Sequence, residues 1–305
     1  MTILRQKYQW DRDFEASREF LKRIFEEEDS LLYWIPSRLE NIKFGPCGTE
    51  YSDIDVAGLR IWEDDAKIVA MALPDSPTDY YIQTHPKYRF LEKEIVCWIE
   101  FYVRETKQKE DQTVKLNIYV LETDNDRRTL LTSMGYKNNG LWEYNRKLSH
   151  SLPISEYNLP DGFTIRNVRG LDDYLQVKQV LASVFPHCSN MTEKLFETYT
   201  KASFYNKELD LVVVAPDGRN FVAFCTIRMD PLSKIAEFEP VGTLPDYRRL
   251  GLGKALLCKG LALLRIYHPK MVCIGGAATT EAANRLYDSI GFTDKVAVDQ
   301  WQKEI

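Results

Sequence analysis

Residues 244–254 read Leu244-Pro245-Asp246-Tyr247-Arg248-Arg249-Leu250-Gly251-Leu252-Gly253-Lys254, and their reading decides the fold. The core is Arg248-x-x-Gly251-x-Gly253. A strand-like run from Ile235 to Thr243 leads into it, and a helix-like run from Gly251 to Tyr267 leads out. A strand, a tight glycine turn and a helix start make an anion site. Free backbone N–H groups converge there, and the helix dipole adds partial positive charge. The two glycines let the backbone approach a diphosphate with no Cβ in the way. Alone, the pattern also fits an ordinary glycine turn ahead of a core helix.

The flanks narrow the choice. Upstream lies Glu237-Phe238-Glu239-Pro240-Val241-Gly242-Thr243. Downstream come a strand, Met271 to Gly275, a short helix with Asn284-Arg285-Leu286-Tyr287, and then Ile290-Gly291-Phe292. This order and spacing resembles the GNAT superfamily of acyl-CoA-dependent N-acyltransferases over roughly residues 162–300. The resemblance implies an α+β fold on a mixed sheet, with acetyl-CoA as co-substrate and a primary amine, of a small molecule, as acceptor. It implies that the pantetheine arm pairs with the strand at Val241, Gly242 and Thr243. The pyrophosphate would sit on the N–H groups of Arg249, Leu250, Gly251, Leu252, Gly253 and Lys254, with charge from Arg248 and Lys254. Asn284 resembles the family asparagine that contacts pantetheine, and Tyr287 the family's tyrosine general acid.

The chemistry asks for these residue types. A lysine-like amine loses its proton at pH 7 at a cost of about 4–5 kcal/mol, so a carboxylate, or a water it holds, has a task. Glu237 and Glu239 alternate with Phe238 and share one strand face. Glu237 has the spacing from Arg248 at which some family members carry a catalytic glutamate, with Glu239 as runner-up. The alternative is that they solvate the strand face or pair with Arg228. The leaving thiolate needs a proton, and a phenol, protonated at neutral pH, can donate one.

The first half repeats the second. Pro86, Tyr88, Arg89 and Leu91 correspond to Pro245, Tyr247, Arg248 and Leu250, whereas Glu92 and Glu94 replace Gly251 and Gly253. A carboxylate about 4 Å from a phosphate charge is repelled by about 1 kcal/mol in water and about 4 kcal/mol at an effective dielectric near 20. Glutamates at a helix start also complement the dipole themselves. Aligning Met134-Gly135-Tyr136 with Ile290-Gly291-Phe292 sets Leu131 opposite Tyr287 and Arg128 opposite Asn284. The expected organisation is therefore tandem: residues 1–148 a degenerate GNAT-like domain without the CoA loop, 149–162 a linker, and 163–305 the catalytic acyltransferase domain.

Composition sets outer bounds. The chain has 305 residues, 44% hydrophobic and 28% charged, with net charge −5 and pI about 5.6. These are values of a soluble globular chain of two domains. No long Lys/Arg patch points to nucleic acid. No apolar run approaches the roughly 18 residues of a membrane span, and the N-terminus lacks a signal-like apolar region. Six cysteines, at 47, 97, 188, 225, 258 and 273, form no CxxC pair and read as buried thiols of a cytoplasmic protein. The four histidines show no metal-ligand spacing, so no metal is expected. Acidic Glu237, Glu239 and Asp230 suggest attraction for a cationic acceptor. Leu31 to Pro36 and Phe185 to Cys188, with His187, are candidate linings of an acceptor cleft or simply core. A CoA-binding sensor or interaction module without turnover, and transfer of a longer acyl group, stand as other readings.

Overall fold

A computed structural model describes residues 3–28, 34–45, 58–107, 113–149, 156–277 and 280–305. The chain divides into two compact units. The first contains residues 1–36, 50–143 and 296–305; the second contains 37–49 and 144–295.

In the first unit, β1 (Leu4–Lys7), β2 (Arg60–Asp64), β3 (Lys67–Ser76) and β4 (Asp79–Thr84) form an antiparallel meander. The β2–β3 turn places Asp65 and Ala66 at φ 48° and 56°, the geometry that short hairpins require. β4 then pairs in parallel with β5 (Lys115–Leu121), but only through Asp79–Asn117 and Tyr80–Ile118. The crossover between them is α3 (Glu92–Lys107), which follows α1 (Trp10–Glu28) and α2 (Pro36–Phe44) in the chain. The sixth strand is β12 (Asp294–Glu304), antiparallel to β5 with Trp301 opposite Ile118. Trp62, Ile82, Ile95, Ile99, Leu116, Ile118 and Trp301 share one core.

The second unit has the same plan. β7 (Thr164–Asn167), β8 (Asp210–Val214), β9 (Phe221–Met229) and β10 (Ile235–Thr243) form the meander. β10 pairs in parallel with β11 (Met271–Ala277) from Ile235–Met271 to Glu237–Cys273 and no further, although β10 runs on to Thr243. α7 (Leu252–Leu264) is the crossover. Its Leu252, Leu256, Leu257 and Leu261 pack with Leu211, Ile227, Phe238 and Phe292. The other sheet face meets α5 (Tyr174–Val184) and α6 (Glu193–Tyr199) through Val177, Leu181, Phe196, Val212 and Phe224. The sixth strand is the end of β6 (Lys137–Lys147), antiparallel to β11 with Arg146 opposite Ile274.

The repeat reaches the hydrogen bonds. After α4 (Asn125–Ser133), Tyr136 N–H donates to Leu131 C=O and Gly135 N–H to Thr132 C=O. After α8 (Glu281–Ser289), Phe292 donates to Tyr287 and Gly291 to Asp288. Both glycines are left-handed, at φ 86° and 101°, so both helices end in one capping motif.

The units differ from the contiguous segments 1–148 and 163–305 by an exchange of their last strands: residues 296–305 count with the first unit and 144–147 with the second. Of the expected linker, 150–155 lie outside the described residues, and Tyr157 and Leu159 pack on the second core. Helix α6 ends at Tyr199, and Asn206 caps a separate short turn at Lys207–Leu209.

The cysteine expectation needs correction. Cys225, Cys258 and Cys273 are buried free thiols, but Cys97 lies exposed on α3 and Cys188 is disulfide-bonded. Cys47 lies outside the described residues. Spacing along the chain cannot reveal a disulfide between distant cysteines, nor which helix face carries a lone one. Trp34 and Ile35 are buried, His187 is exposed, and residues 31–33 lie outside the described residues. Among the described residues no cluster could hold a metal ion, and no helix is long and apolar enough to cross a membrane.

Candidate active site

The site residues come together where β10 and β11 stop pairing. After Phe238 the register against β9 slips, with Phe238 opposite Ile227 but Val241 opposite Cys225. The Glu239–Pro240 peptide in that stretch is cis. Beyond it Glu239, Val241, Gly242 and Thr243 are half-buried, whereas Glu237 and Phe238 are fully buried. The exposed polar edge of a strand without a neighbour can pair with an extended amide-bearing chain.

Thr243 leads into the loop. Pro245–Tyr247 form one 3-10 turn, then Arg249 and Gly251 take left-handed backbone at φ 66° and 78°. This reversal delivers the chain to α7 with Arg248, Arg249, Leu250 and Gly251 all exposed. A side chain at Gly251 would meet no neighbour, but its φ disfavours any L-residue. A Cβ at Gly253 would sit 3.5 Å from Leu286 and from Thr243 Oγ1. The first N–H groups of α7 have no intrahelical acceptor, and its first turn carries no acidic residue. Arg248 Nε donates to Thr243 C=O at 3.3 Å, so its guanidinium is tethered beside the loop. A diphosphate fits this donor set: bare helix-start N–H groups, Arg248 and Lys254.

The two glutamates have separate fates. Glu237 is 0% exposed, accepts from Ser37 Oγ at 2.9 Å, and faces Arg38 at 3.5 Å and Arg228 at 3.9 Å. The alternative pairing with Arg228 is thus the one observed, and α2 adds a second arginine. Glu239, two residues on, is half-buried. Its charge acts on Tyr287, whose phenol is pushed well above the usual tyrosine range by burial first, then by Glu239 and Cys225, with Arg146 opposing. Tyr287 is 8% exposed and therefore holds its proton at all physiological pH. Asp230 is fully buried and accepts from Ser233 N–H and Oγ, both at 2.6 Å, so it stabilises the β9–β10 turn instead of facing a solute.

Asn284 and Tyr287 lie one turn apart on α8, as expected. Their common neighbour, Arg146 of β6, escaped the sequence reading. It is fully buried, and it donates to Asn284 Oδ1, to Asp288 Oδ1 at 2.6 Å and to Phe292 C=O at 2.8 Å. Its only sequence signal is an arginine in an otherwise ordinary strand, more than 130 residues from its partners.

A cavity of about 960 Å³ opens elsewhere on the second unit, lined by Asn167, Arg169, Phe204, Tyr205, Met229 and Tyr267 among others. Met229, Pro231 and Lys234 of its lining flank the start of β10.

Residues 177–292 match the family profile described as "Acetyltransferase (GNAT) family". The chain is 31% identical to a mycothiol acetyltransferase of Paenarthrobacter aurescens over 158 residues, 50% of this chain and 49% of that one. It is 29% identical to the mycothiol acetyltransferase of Rhodococcus jostii over 147 residues, 46% and 48% of the two chains. The chain thus spans about half the length of these curated relatives. In fold, it is similar to a GCN5-related N-acetyltransferase from Sphaerobacter thermophilus, with TM-score 0.68 and 18% identity over 99% of this chain and 95% of that one. A tandem GNAT protein from the clavulanic acid biosynthesis pathway superposes with TM-score 0.67 and 13% identity over 99% and 98%. The fold is of α+β class and is shared with these solved structures. The match to the GNAT family is carried by residues 177–292, within the second unit.

Proposed function

We propose that the second unit binds acetyl-CoA and transfers its acetyl group to a primary amine of a small molecule. The observation that carries this reading is the buried Tyr287 phenol, with the charge of Glu239 acting on it, beside the stretch of β10 past its pairing with β11 and a helix start without acidic residues. Val241, Gly242 and Thr243 offer main-chain partners to pantetheine amides. Arg249 to Lys254 offer N–H groups to the diphosphate. Acetyl-CoA supplies the acyl group and a thiolate leaving group. The amine nitrogen bonds to the thioester carbonyl carbon as the C–S bond breaks. Glu239, directly or through a water, takes the proton from nitrogen, and the Tyr287 phenol gives its proton to sulfur. Glu239 takes this role ahead of Glu237, because Glu239 is half-buried and reachable by an acceptor whereas Glu237 is fully buried. Half-buried Glu239 also supplies the negative charge that draws a cationic acceptor.

The test is thiol release from acetyl-CoA across a panel of amines. Tyr287→Phe is expected to lower turnover about 100-fold while the affinity for acetyl-CoA, measured by calorimetry, changes less than about twofold. Equal turnover in the variant removes Tyr287 from the acid role. The neutralised Glu237 favours a second reading, a CoA-binding module without turnover. Tight acetyl-CoA binding with no amine-dependent thiol release would select it.

A further inference from the structure

We infer that Arg146 of β6 is a positioning residue for the transfer reaction, holding Asn284 and Tyr287 in the geometry their roles demand; this rests on the reading of Tyr287 as the proton donor. One buried guanidinium grips α8 at three points: Asn284 Oδ1, Asp288 Oδ1 and the Phe292 carbonyl just past the helix end. Residues 284, 287 and 288 share a helix face, so the grip fixes both the rotation of α8 and its C-terminal turn. The cation also lies where the helix dipole favours one. Its carbon stands 5.9 Å from the Tyr287 ring centroid and 5.6 Å from that of Tyr144. A positive charge there stabilises the phenolate that forms as the proton leaves for sulfur. Around the phenol, the charge that opposes its ionisation is Glu239 from β10, the buried Cys225 thiol of β9 is neutral, and Asp288 on α8 is paired with Arg146 itself.

The other repeat supplies a control. A constant offset of 156 residues relates Asp124 to Thr280, Leu131 to Tyr287 and Gly135 to Gly291, and it relates Ile118 of β5 to Ile274 of β11. Ile274 pairs with Arg146, and Ile118 pairs with Trp301. Where the second unit has tyrosine and arginine, the first has Leu131 and Trp301, both buried in its core. The arginine is found with the tyrosine and is absent where the tyrosine is absent. It also comes from the exchanged strand, so residues 144–147 of the first repeat's sequence complete the second repeat's site.

The test uses the full chain with Arg146→Met, Arg146→Lys and Tyr287→Phe. Turnover is read with acetyl-CoA and the best amine of the panel. Ionisation at position 287 is read by fluorine NMR of 3,5-difluorotyrosine placed there. Arg146→Met is expected to lower turnover about 10–100-fold, by the loss of an oriented acid. At saturating acetyl-CoA, where the Asn284 contact is read in KM and not in kcat, the kcat loss should appear only while Tyr287 is present, so that the double variant with Tyr287→Phe has the kcat of Tyr287→Phe alone. The difluorotyrosine should titrate at higher pH in Arg146→Met. Unchanged titration, or turnover losses that add in the double variant, overturns the inference. If Arg146→Met does not fold, Arg146→Lys decides. It keeps the charge but not the planar fork, so a loss of turnover that vanishes in the Tyr287→Phe background supports the inference, and wild-type turnover overturns it. Should Tyr287→Phe itself turn over at the wild-type rate, the acid assignment falls, while the titration still reports whether Arg146 governs the phenol.

Discussion

In the first unit α3 starts on Glu92 and Glu94; in the second, α7 starts on Leu252, with Gly251 before it and Gly253 inside it. The chain path into the two helices is shared. Tyr88 N–H donates to His85 C=O and Tyr247 to Leu244, each closing a proline-led 3-10 turn. What differs is the anion. Glu92 is buried and takes two bonds from Arg127, at 2.7 and 3.1 Å, while Arg127 also donates to Ile82 C=O at 2.9 Å. Arg89 joins the cluster through Asp124 at 2.5 Å. Glu94 accepts from Trp62 Nε1 at 2.8 Å. In the second unit Arg248 donates to the carbonyl of Thr243, and residues 248–251 ahead of the helix are exposed. A helix N-terminus favours a negative charge. In one repeat the charge is part of the chain; in the other the first turn of the helix carries no acidic residue.

The sharpest way to break this contrast is to move the first unit's residue into the second. Gly253→Glu meets only ordinary contacts at Cβ, so it tests charge rather than backbone strain. One carboxylate near each of two phosphate charges gives about 2–8 kcal/mol of repulsion, taking about 1–4 kcal/mol per pair at 4 Å. The expected result is a loss of acetyl-CoA affinity of at least about 30-fold by calorimetry, with little change in thermal midpoint. Unimpaired binding would mean that the diphosphate does not sit at this helix start.

The reverse change tests whether the first unit's carboxylate is structural. Glu92→Gln leaves the Arg127 guanidinium buried without its main counter-charge, at a cost of about 3–5 kcal/mol. Urea unfolding should show that loss, while acetyl-CoA affinity, resident in the second unit, stays within about twofold. A gain of CoA binding by the variant would show that the first unit keeps a latent site. A stable variant would show that the Glu92–Arg127 pair is not what its burial suggests.

Much of this contrast was legible beforehand, and the reasons are local. Gly251 and Gly253, the glutamates in their place, and the Gly135 and Gly291 helix ends are short-range signals with fixed backbone consequences. Strand β10 was expected over the residues it occupies, Ile235–Thr243. The exchange of last strands was not legible. β6 and β12 are both antiparallel final strands, and their local sequence does not say which parallel pair each extends. The fate of Glu237 was hidden because its partners Ser37 and Arg38 arrive from a helix 200 residues earlier. Glu237 and Glu239 share a face in an ideal strand, but the register slip after Phe238 separates a paired carboxylate from a half-exposed one.

A smaller effect separates the units at the first residue of their second strand. β2 starts on Arg60, whose guanidinium lies 4.7 Å from the Trp98 ring centroid, with burial lowering its basicity. β8 starts on Asp210, which is buried and accepts from Thr226 Oγ1 at 2.8 Å and Tyr205 Oη at 2.9 Å. Burial, reinforced by the charge of Asp173, outweighs these bonds and pushes the Asp210 carboxyl up to about 6. The folded chain therefore keeps this proton to higher pH than the unfolded chain, in which the carboxyl titrates near its ordinary value of 3.8. Stability from this group is full below about pH 4 and falls as pH rises through about 6, by at most about 3 kcal/mol. Asp173 runs the other way, held low by Arg166 and Arg169 against the cost of burial, so its contribution is lost below about pH 4. The comparison is thus cleanest between about pH 4.5 and 7. Wild type should have the higher urea midpoint at the lower pH, and Asp210→Asn, which cannot ionise, should flatten that difference. If the slope survives in Asp210→Asn, the buried carboxyl is not its source, and the two strand starts do not differ in the way their charges imply.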